Sequence, residues 1–322
     1  MMSNQINVTL ANTFKNGTGT VNVMPLETQN IIPFYVVFLI LALMIILSNS
    51  TILTVYFKTR PLHTSNNHLL VSLAFTDLFA GLFNIPLISS SALIAAENIR
   101  AIALNFTVNV VSDFVVTVNE LNLFLIFLDR YLVICHPLGS RKLITRKRRL
   151  RGIVAIWITS AVIAFLPLFW CFKVVSGQEY SLRYQKIMVE LITYHSIAVS
   201  VCFFILPSLI MLFFLISMIG SLRKQKQKRK ERLKISKDDS KFRAYHKAFC
   251  MLSAMYVLML VAWSPLMVVR LCMDINVKLQ ISPRALDCLM LIRFVTALVN
   301  PFIYTFIKKE FRKAFFMQFR CF

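Results

Sequence analysis

The sequence predicts an all-α membrane protein: a seven-transmembrane helix bundle followed by a short amphipathic eighth helix. Three observations carry that expectation. Hydrophobic residues make up 57% of the 322 positions and the mean hydropathy is +0.68, too apolar for a water-soluble globule. Seven stretches, about 33–57, 66–95, 101–128, 152–170, 191–219, 248–271 and 285–307, approach or exceed the roughly 20 apolar residues that a spanning helix needs. Basic residues concentrate in alternate connections between those stretches.

Residues 1–32 are polar and rich in Asn and Thr, without an apolar signal segment. They read as an extracellular tail, so the first stretch is expected to act as its own insertion signal. Two glycosylation sequons fit that placement, Asn7-Val8-Thr9 and Asn16-Gly17-Thr18. Asn49-Ser50-Thr51 also matches but lies inside the first stretch, and Asn105-Phe106-Thr107 sits too close to the membrane. Residues 33–306 form one membrane domain, and residues 307–322 a cytoplasmic amphipathic helix and C-terminus. Over residues 306–319, Phe306, Ile307, Phe311, Phe315, Phe316 and Phe319 alternate with Lys308, Lys309, Arg312 and Lys313, the pattern of a helix lying on a membrane surface. Cys321 beyond it is a candidate for palmitoylation, with a free cytosolic thiol as the alternative.

The net charge of +22 would point to nucleic acid in a soluble protein. Its placement argues otherwise. Arg141 to Arg151 holds seven basic residues and Arg223 to Lys247 holds twelve, while the N-terminal tail has only Lys15. By the positive-inside rule the basic loops are cytoplasmic. The protein is therefore expected in the plasma membrane with its N-terminus outside and C-terminus inside, its basic tracts facing anionic lipid. No nucleic-acid partner is expected.

Polar groups within the apolar stretches carry the functional signal, because a charge at that depth is costly without a partner. Asp77 lies in the second stretch, with Asn49, Asn119 and Asn300 at similar depth as its expected partners. Pro207, Pro265 and Pro301 each free a backbone carbonyl and allow a helix to bend. Asp129-Arg130-Tyr131 closes the third stretch. Alone, that triplet reads equally as an arginine snorkelling to lipid headgroups.

It is not alone. Leu73-Ala74-Phe75-Thr76-Asp77, Trp157 with Pro167 ten residues later, Pro207, Trp263-Ser264-Pro265 and Asn300-Pro301-Phe302-Ile303-Tyr304 follow one another in order. With Asn49 and Asp129-Arg130-Tyr131 they resemble the rhodopsin-like (class A) G-protein-coupled receptors over about residues 33–318. The resemblance implies a transducer of an extracellular ligand whose partners are a heterotrimeric G protein, arrestin and receptor kinases. It implies that Asp129 restrains Arg130 at rest, that Tyr131, Asn300, Pro301 and Tyr304 belong to the activation machinery, and that Trp263 and Pro265 report occupation of the ligand pocket. It also implies a sodium ion near Asp77. A hydrogen-bonded polar core without an ion remains the alternative, since Asn119 stands where the family more often has a small hydroxyl residue.

Departures from the family pattern narrow the ligand. Ser112 occupies the position of the amine-binding aspartate, with Asp113 one residue on and rotated by about 100°. Ser112, Asp113, Val116, Trp263, Met267, Arg270 and Arg293 form the expected pocket. Arg293 is expected to pair with Asp113 or Glu120, or else with a charged ligand; Asp113 as a substitute amine anchor is the alternative. Phe294 stands where opsins have their retinal lysine. Asn105 replaces the usual helix 3 cysteine, so the usual bridge to Cys171 is expected to be absent. Cys272 and Cys288 are a candidate pair; Cys135, Cys202 and Cys250 are expected as buried packing residues. Where many members have an acid that holds Arg130, this chain offers Tyr245, His246 and Lys247. Leu215 and Met259 replace a usual Tyr and Phe. These departures predict a loosely restrained receptor with basal activity.

Other classes fit less well. No metal-ligand spacing, nucleophile elbow or phosphate loop marks an enzyme, and no cofactor or metal is expected besides the sodium ion. A transporter would show inverted repeats or paired broken helices. A non-signalling, receptor-like binding protein would not need the Asp129-Arg130-Tyr131 triplet.

Overall fold

Backbone amides in hydrocarbon have no water to bond, so the apolar stretches must satisfy their own N–H and C=O groups as helices. The computed structural model describes residues 31–64, 67–93, 99–169, 182–231, 238–275, 277, 279 and 281–319. Eight helices order these residues. They are α1 (Ile31–Lys58), α2 (Asn67–Phe79, a π-helical turn Ala80–Asn84, then Ile85–Leu93), α3 (Ile99–Cys135) and α4 (Arg146–Phe165). Then come α5 (Leu182–Ser200, a π-helical turn Val201–Ile205, then Leu206–Glu231), α6 (Asp238–Asp274), α7 (Pro283–Ile307) and α8 (Lys309–Phe319). Short helical turns at Arg60–Leu62 and Pro137–Leu143 join neighbours.

Six of these helices are long and apolar enough to cross a membrane. The described part of α4 opens on Arg146, Lys147, Arg148, Arg149 and Arg151, which shorten its uncharged length. Thr145 caps it by accepting a hydrogen bond from the Arg148 amide at 3.3 Å. The helices outrun their apolar stretches. α3 and α6 each have 37 residues, about 55 Å of helix against a hydrocarbon core of roughly 30 Å. The polar ends therefore project beyond the hydrocarbon, which is what carries Asp129 and Arg130 to a boundary.

Two π-helical turns mark where proline breaks the regular ladder. Pro86 and Pro207 each follow one, at Ala80–Asn84 and Val201–Ile205. A proline lacks an N–H and clashes with the carbonyl four residues earlier, and the widened turn relieves both problems. Pro265 and Pro301 lie inside continuous helices.

α3 is the central post, packed against α2, α4, α5 and α6. Its buried Ile126 and Phe127 join a large cluster with Met211 and Met218 of α5 and Met251, Leu252 and Met255 of α6. A smaller cluster, with Ile45, Ala80, Val115 and Phe294, unites α1, α2, α3 and α7. Gly81 lets α1 and α2 close: a Cβ there would meet Ile46 Cγ1 at 3.0 Å and the Ala42 carbonyl at 3.3 Å. Val154, Ile158 and Val162 form an exposed row four residues apart on α4, the pattern of a face turned to lipid. α8 buries Phe311 and Ala314 and leaves Phe316 and Met317 exposed.

The cysteine expectations need correction. Cys272 and Cys288 are free thiols, and Cys202 and Cys250 are exposed. Small polarisable side chains sit as well against lipid as in a core. Cys135 is half-buried and accepts a hydrogen bond from Ser221 at 3.2 Å. Asn7, Asn16, Cys171 and Cys321 lie outside the described residues.

Candidate functional site

Polar side chains occupy three levels of the bundle. At one end, Asp113 of α3 receives a forked pair of bonds from Arg270 of α6, Nη1 to Oδ1 at 2.6 Å and Nη2 to Oδ2 at 3.2 Å. The planar guanidinium matches a carboxylate in this geometry. Arg270 Nε also donates to Ser196 Oγ of α5 at 2.9 Å, and Ser196 donates to Asp274 Oδ2 at 2.5 Å. One chain of bonds thus ties α3, α5 and α6.

This corrects the expected partner of Arg293. Asp113 is taken by Arg270, and Glu120 accepts from Ser208 at 3.1 Å. Arg293 is 7% exposed, its Nε is buried without an acceptor, and its guanidinium carbon lies 4.5 Å from the Phe294 ring and 5.7 Å from Trp263. Cation–π contacts ease its burial; among the described residues it forms no ion pair. Ser112 is likewise committed, donating to Asn84 Oδ1 at 2.9 Å. Val116 and Met267 are buried in the large core cluster. Of the expected pocket residues, Asp113 and Arg270 meet directly, and Arg293 and Trp263 meet each other. Ser196 and Asp274 were missed by sequence reading; the four-residue spacing of Arg270 and Asp274 was the available signal.

The middle level centres on Asp77. Asn119 Nδ2 donates to Oδ1 at 3.1 Å and Asn300 Nδ2 to Oδ2 at 2.9 Å. Asn49 is not a third partner: its Nδ2 bonds the carbonyls of Ile45 and Ala297, both at 3.0 Å. A buried Asn amide on α1 reaches the α7 backbone instead, fastening those two helices. Trp263 Nε1 donates to Thr296 Oγ1 at 3.3 Å, and Thr296 donates to the Arg293 carbonyl at 2.7 Å. Below Trp263 lies a cavity of about 20 Å³ lined by Asn119, Glu120, Thr296 and Asn300 among others, room for a water or a single ion. Nearby, Trp157 bonds Ser72, and Ser72 bonds Asn122, at 3.0 and 2.8 Å, joining α4, α2 and α3.

At the far end of α3, Arg130 Nη2 lies 2.8 Å from Asp129 Oδ2, the expected pair. Asp129 has a second cation that sequence reading missed: Arg149 Nε donates to Oδ1 at 2.6 Å. The basic run of α4 reads as a solvated face, but Gly152 brings α4 close to α3, its missing Cβ only 3.1 Å from Leu125 Cδ2, and that approach seats Arg149. Tyr131 stacks on Phe214 with ring centroids 4.6 Å apart. Tyr304 lies on α7, and its side chain lies outside the described part of the structure. Lys308, also missed, donates to Asn67 Oδ1 at 2.8 Å. Burial, then the Arg130 charge, push its ammonium down to about 7. Among the described residues no cluster of His, Cys, Asp and Glu has the form of a metal site.

Comparison with known proteins identifies the family. Residues 48–304 match the model of the 7 transmembrane receptor (rhodopsin family). The histamine H2 receptor of Cavia porcellus is 25% identical over 288 residues, which cover 89% of this chain and 79% of that receptor. A Gq-coupled rhodopsin of Mizuhopecten yessoensis is 25% identical over 303 residues, 91% of this chain and 60% of that protein. The human melatonin receptor type 1B is 24% identical over 281 residues, 84% and 73% of the two chains.

Proposed function

This chain belongs to the rhodopsin family of seven-transmembrane receptors and signals through G proteins, and from that premise we propose how it is oriented and restrained. Its N-terminus faces outward and its basic loops and α8 face the cytoplasm, at the plasma membrane. Ligand enters at the Asp113–Arg270 level; the G protein, and by family resemblance arrestin and receptor kinases, meet the Asp129–Arg130 level. Ligand and G protein bias one equilibrium between two packings of the bundle, so each raises affinity for the other.

The Asp129–Arg130 pair carries this reading. In this reading the half-buried Arg130 faces the cytoplasm, held in the resting state and released on activation. The hold lies within α3 and α4, and no acid of α6 contributes among the described residues. Basal signalling follows from such a weak restraint on α6. The deciding experiment is a second-messenger assay without ligand: activity that scales with surface expression and vanishes in Arg130→Ala supports the reading, and a silent wild type across G-protein classes refutes the basal component.

Sodium at the middle level fits the residues present. Asn119 and Asn300 both bond Asp77 and line the small cavity; Asp77 would supply the charge, with their amide oxygens as neutral ligands. A bound sodium ion would neutralise the buried carboxylate and favour the resting packing. Sodium titration of thermal stability tests this, with Asp77→Asn expected to abolish the response. The amine-anchor reading of Asp113 finds no support, since Arg270 already occupies both carboxylate oxygens.

A further inference from the structure

Every buried carboxylate near the Trp263 level has a partner of its own. Asp113 is engaged by Arg270, Asp274 by Ser196, Glu120 by Ser208, and Asp77 by two asparagines. Arg293 is left as a cation 7% exposed, with a buried, unbonded Nε. The charge of Asp113 reaches it, but Asp113 is bonded to Arg270, and a buried guanidinium without an acid of its own is costly in so apolar a setting. Its two ring contacts ease that cost without neutralising the charge. If Arg293 served only to hold the bundle together, a nearby acid would be its partner, yet Asp113 is committed to α6.

We propose that Arg293 binds the carboxylate of a small, aromatic-bodied organic acid, which makes the ligand of this receptor an anion. The inference rests on the receptor reading above and adds the ligand class. The guanidinium fork suits a planar carboxylate, and Trp263 and Phe294, 6% and 2% exposed, make its surroundings aromatic and apolar. Transmission is built in. The Arg293 carbonyl accepts from Thr296, whose hydroxyl oxygen accepts from Trp263 Nε1, so a carboxylate that shifts Arg293 acts two hydrogen bonds from the tryptophan indole. Asp113 and Arg270 neutralise each other, and Asp113 repels an anion less than a free aspartate would.

The test uses the purified full chain in lipid nanodiscs, with thermal unfolding as the binding readout. Acetate, benzoate and phenylacetate are compared with phenylacetamide, phenethylamine and sodium chloride. The carboxylates are expected to raise the Tm, the aromatic ones most, and the amide and amine are not. Arg293→Met removes that shift. Without ligand it melts roughly 2–4 °C above the wild type, because the empty site no longer buries an uncompensated cation. Arg293→Lys keeps the charge and loses the fork, weakening carboxylate binding by about 10-fold or more. The inference is overturned if no carboxylate stabilises the wild type more than Arg293→Met. It is equally overturned if chloride alone matches the carboxylates, or if phenethylamine stabilises where phenylacetate does not. Should Arg293→Met fail to fold, Arg293→Lys decides: unchanged carboxylate binding refutes the site, and the expected loss at wild-type stability supports it. G-protein activation is scored separately, with Arg130→Ala as control. Carboxylate binding without activation keeps the site and refutes its role in signalling; activation by neutral or cationic ligands alone refutes the site and leaves the receptor reading standing.

Discussion

Arg130 and Arg149 share one carboxylate, Arg149 at 2.6 Å and Arg130 at 2.8 Å. Asp129 is only 3% exposed, so both charges act with little screening. Arg149 anchors Asp129 and at the same time repels Arg130. Replacing it with glutamine should therefore do two things. It should lower thermal stability by about 1.5–3 kcal/mol, the worth of a hydrogen bond to a charged group. It should also tighten the remaining pair and reduce basal signalling. Higher basal activity in Arg149→Gln would mean that Arg149 is the main restraint. The residue level also shows where sequence reading stops. Asp77, Arg130 and Trp263 are legible because charge, proline and aromatic residues in apolar surroundings stand out in one dimension. The partner of Asp113 and the second cation on Asp129 are not: Arg270 lies 157 positions from Asp113, and only the relative rotation of α3 and α6 decides which of two arginines meets it.

At the scale of elements, the helices were legible from apolar length, and their close approaches were not. Gly81 is an unremarkable residue in an apolar run until α1 is packed on α2, where a Cβ would meet Ile46 and the Ala42 backbone. Gly81→Val should force the pair apart and cost about 1–3 kcal/mol, visible as a lower Tm and reduced surface expression; wild-type stability would show that α1 can shift freely. The α7–α8 junction makes a different prediction. Lys308 is held down to about 7 by burial and by Arg130, against an ordinary value near 10.5. The unfolded chain therefore holds more protons than the folded one between about pH 7 and 10.5, and folding grows more favourable as pH rises through that window. Below about pH 7 both states are protonated and the penalty of burying the charge is present in full. Purified receptor should melt at higher temperature at pH 8.5 than at pH 6.5. Lys308→Met should flatten that slope, and an equal slope in the variant would exclude Lys308 as its source.

For the whole molecule, the ion pairs are unequally placed. Asp113 and Arg270 bind α3 to α6 at one end. At the other end Asp129 binds only Arg130 of its own helix and Arg149 of α4, leaving α6 without an ion pair to α3 among the described residues. Pro265 lies in α6 five residues from Arg270. The bundle is thus clamped near the expected ligand level and loose near the G-protein level. The clamp exists in the same arrangement in which Arg130 is paired with Asp129, so it stabilises that arrangement relative to any packing that moves α6. Removing it should shift population away from rest. A variant with both Asp113→Asn and Arg270→Gln avoids leaving one buried charge alone. Losing a desolvated pair of this kind is worth about 2 kcal/mol, which allows up to roughly a 30-fold change in the resting-to-active ratio. Ligand-free second-messenger output, normalised to surface expression, should rise severalfold in the double variant and by less when Asp77→Asn is added, because the middle level also transmits the change. Output at or below the wild-type level in a well-expressed double variant would show that the clamp serves the active packing instead, and that α6 needs a fixed outer end to move at its inner one.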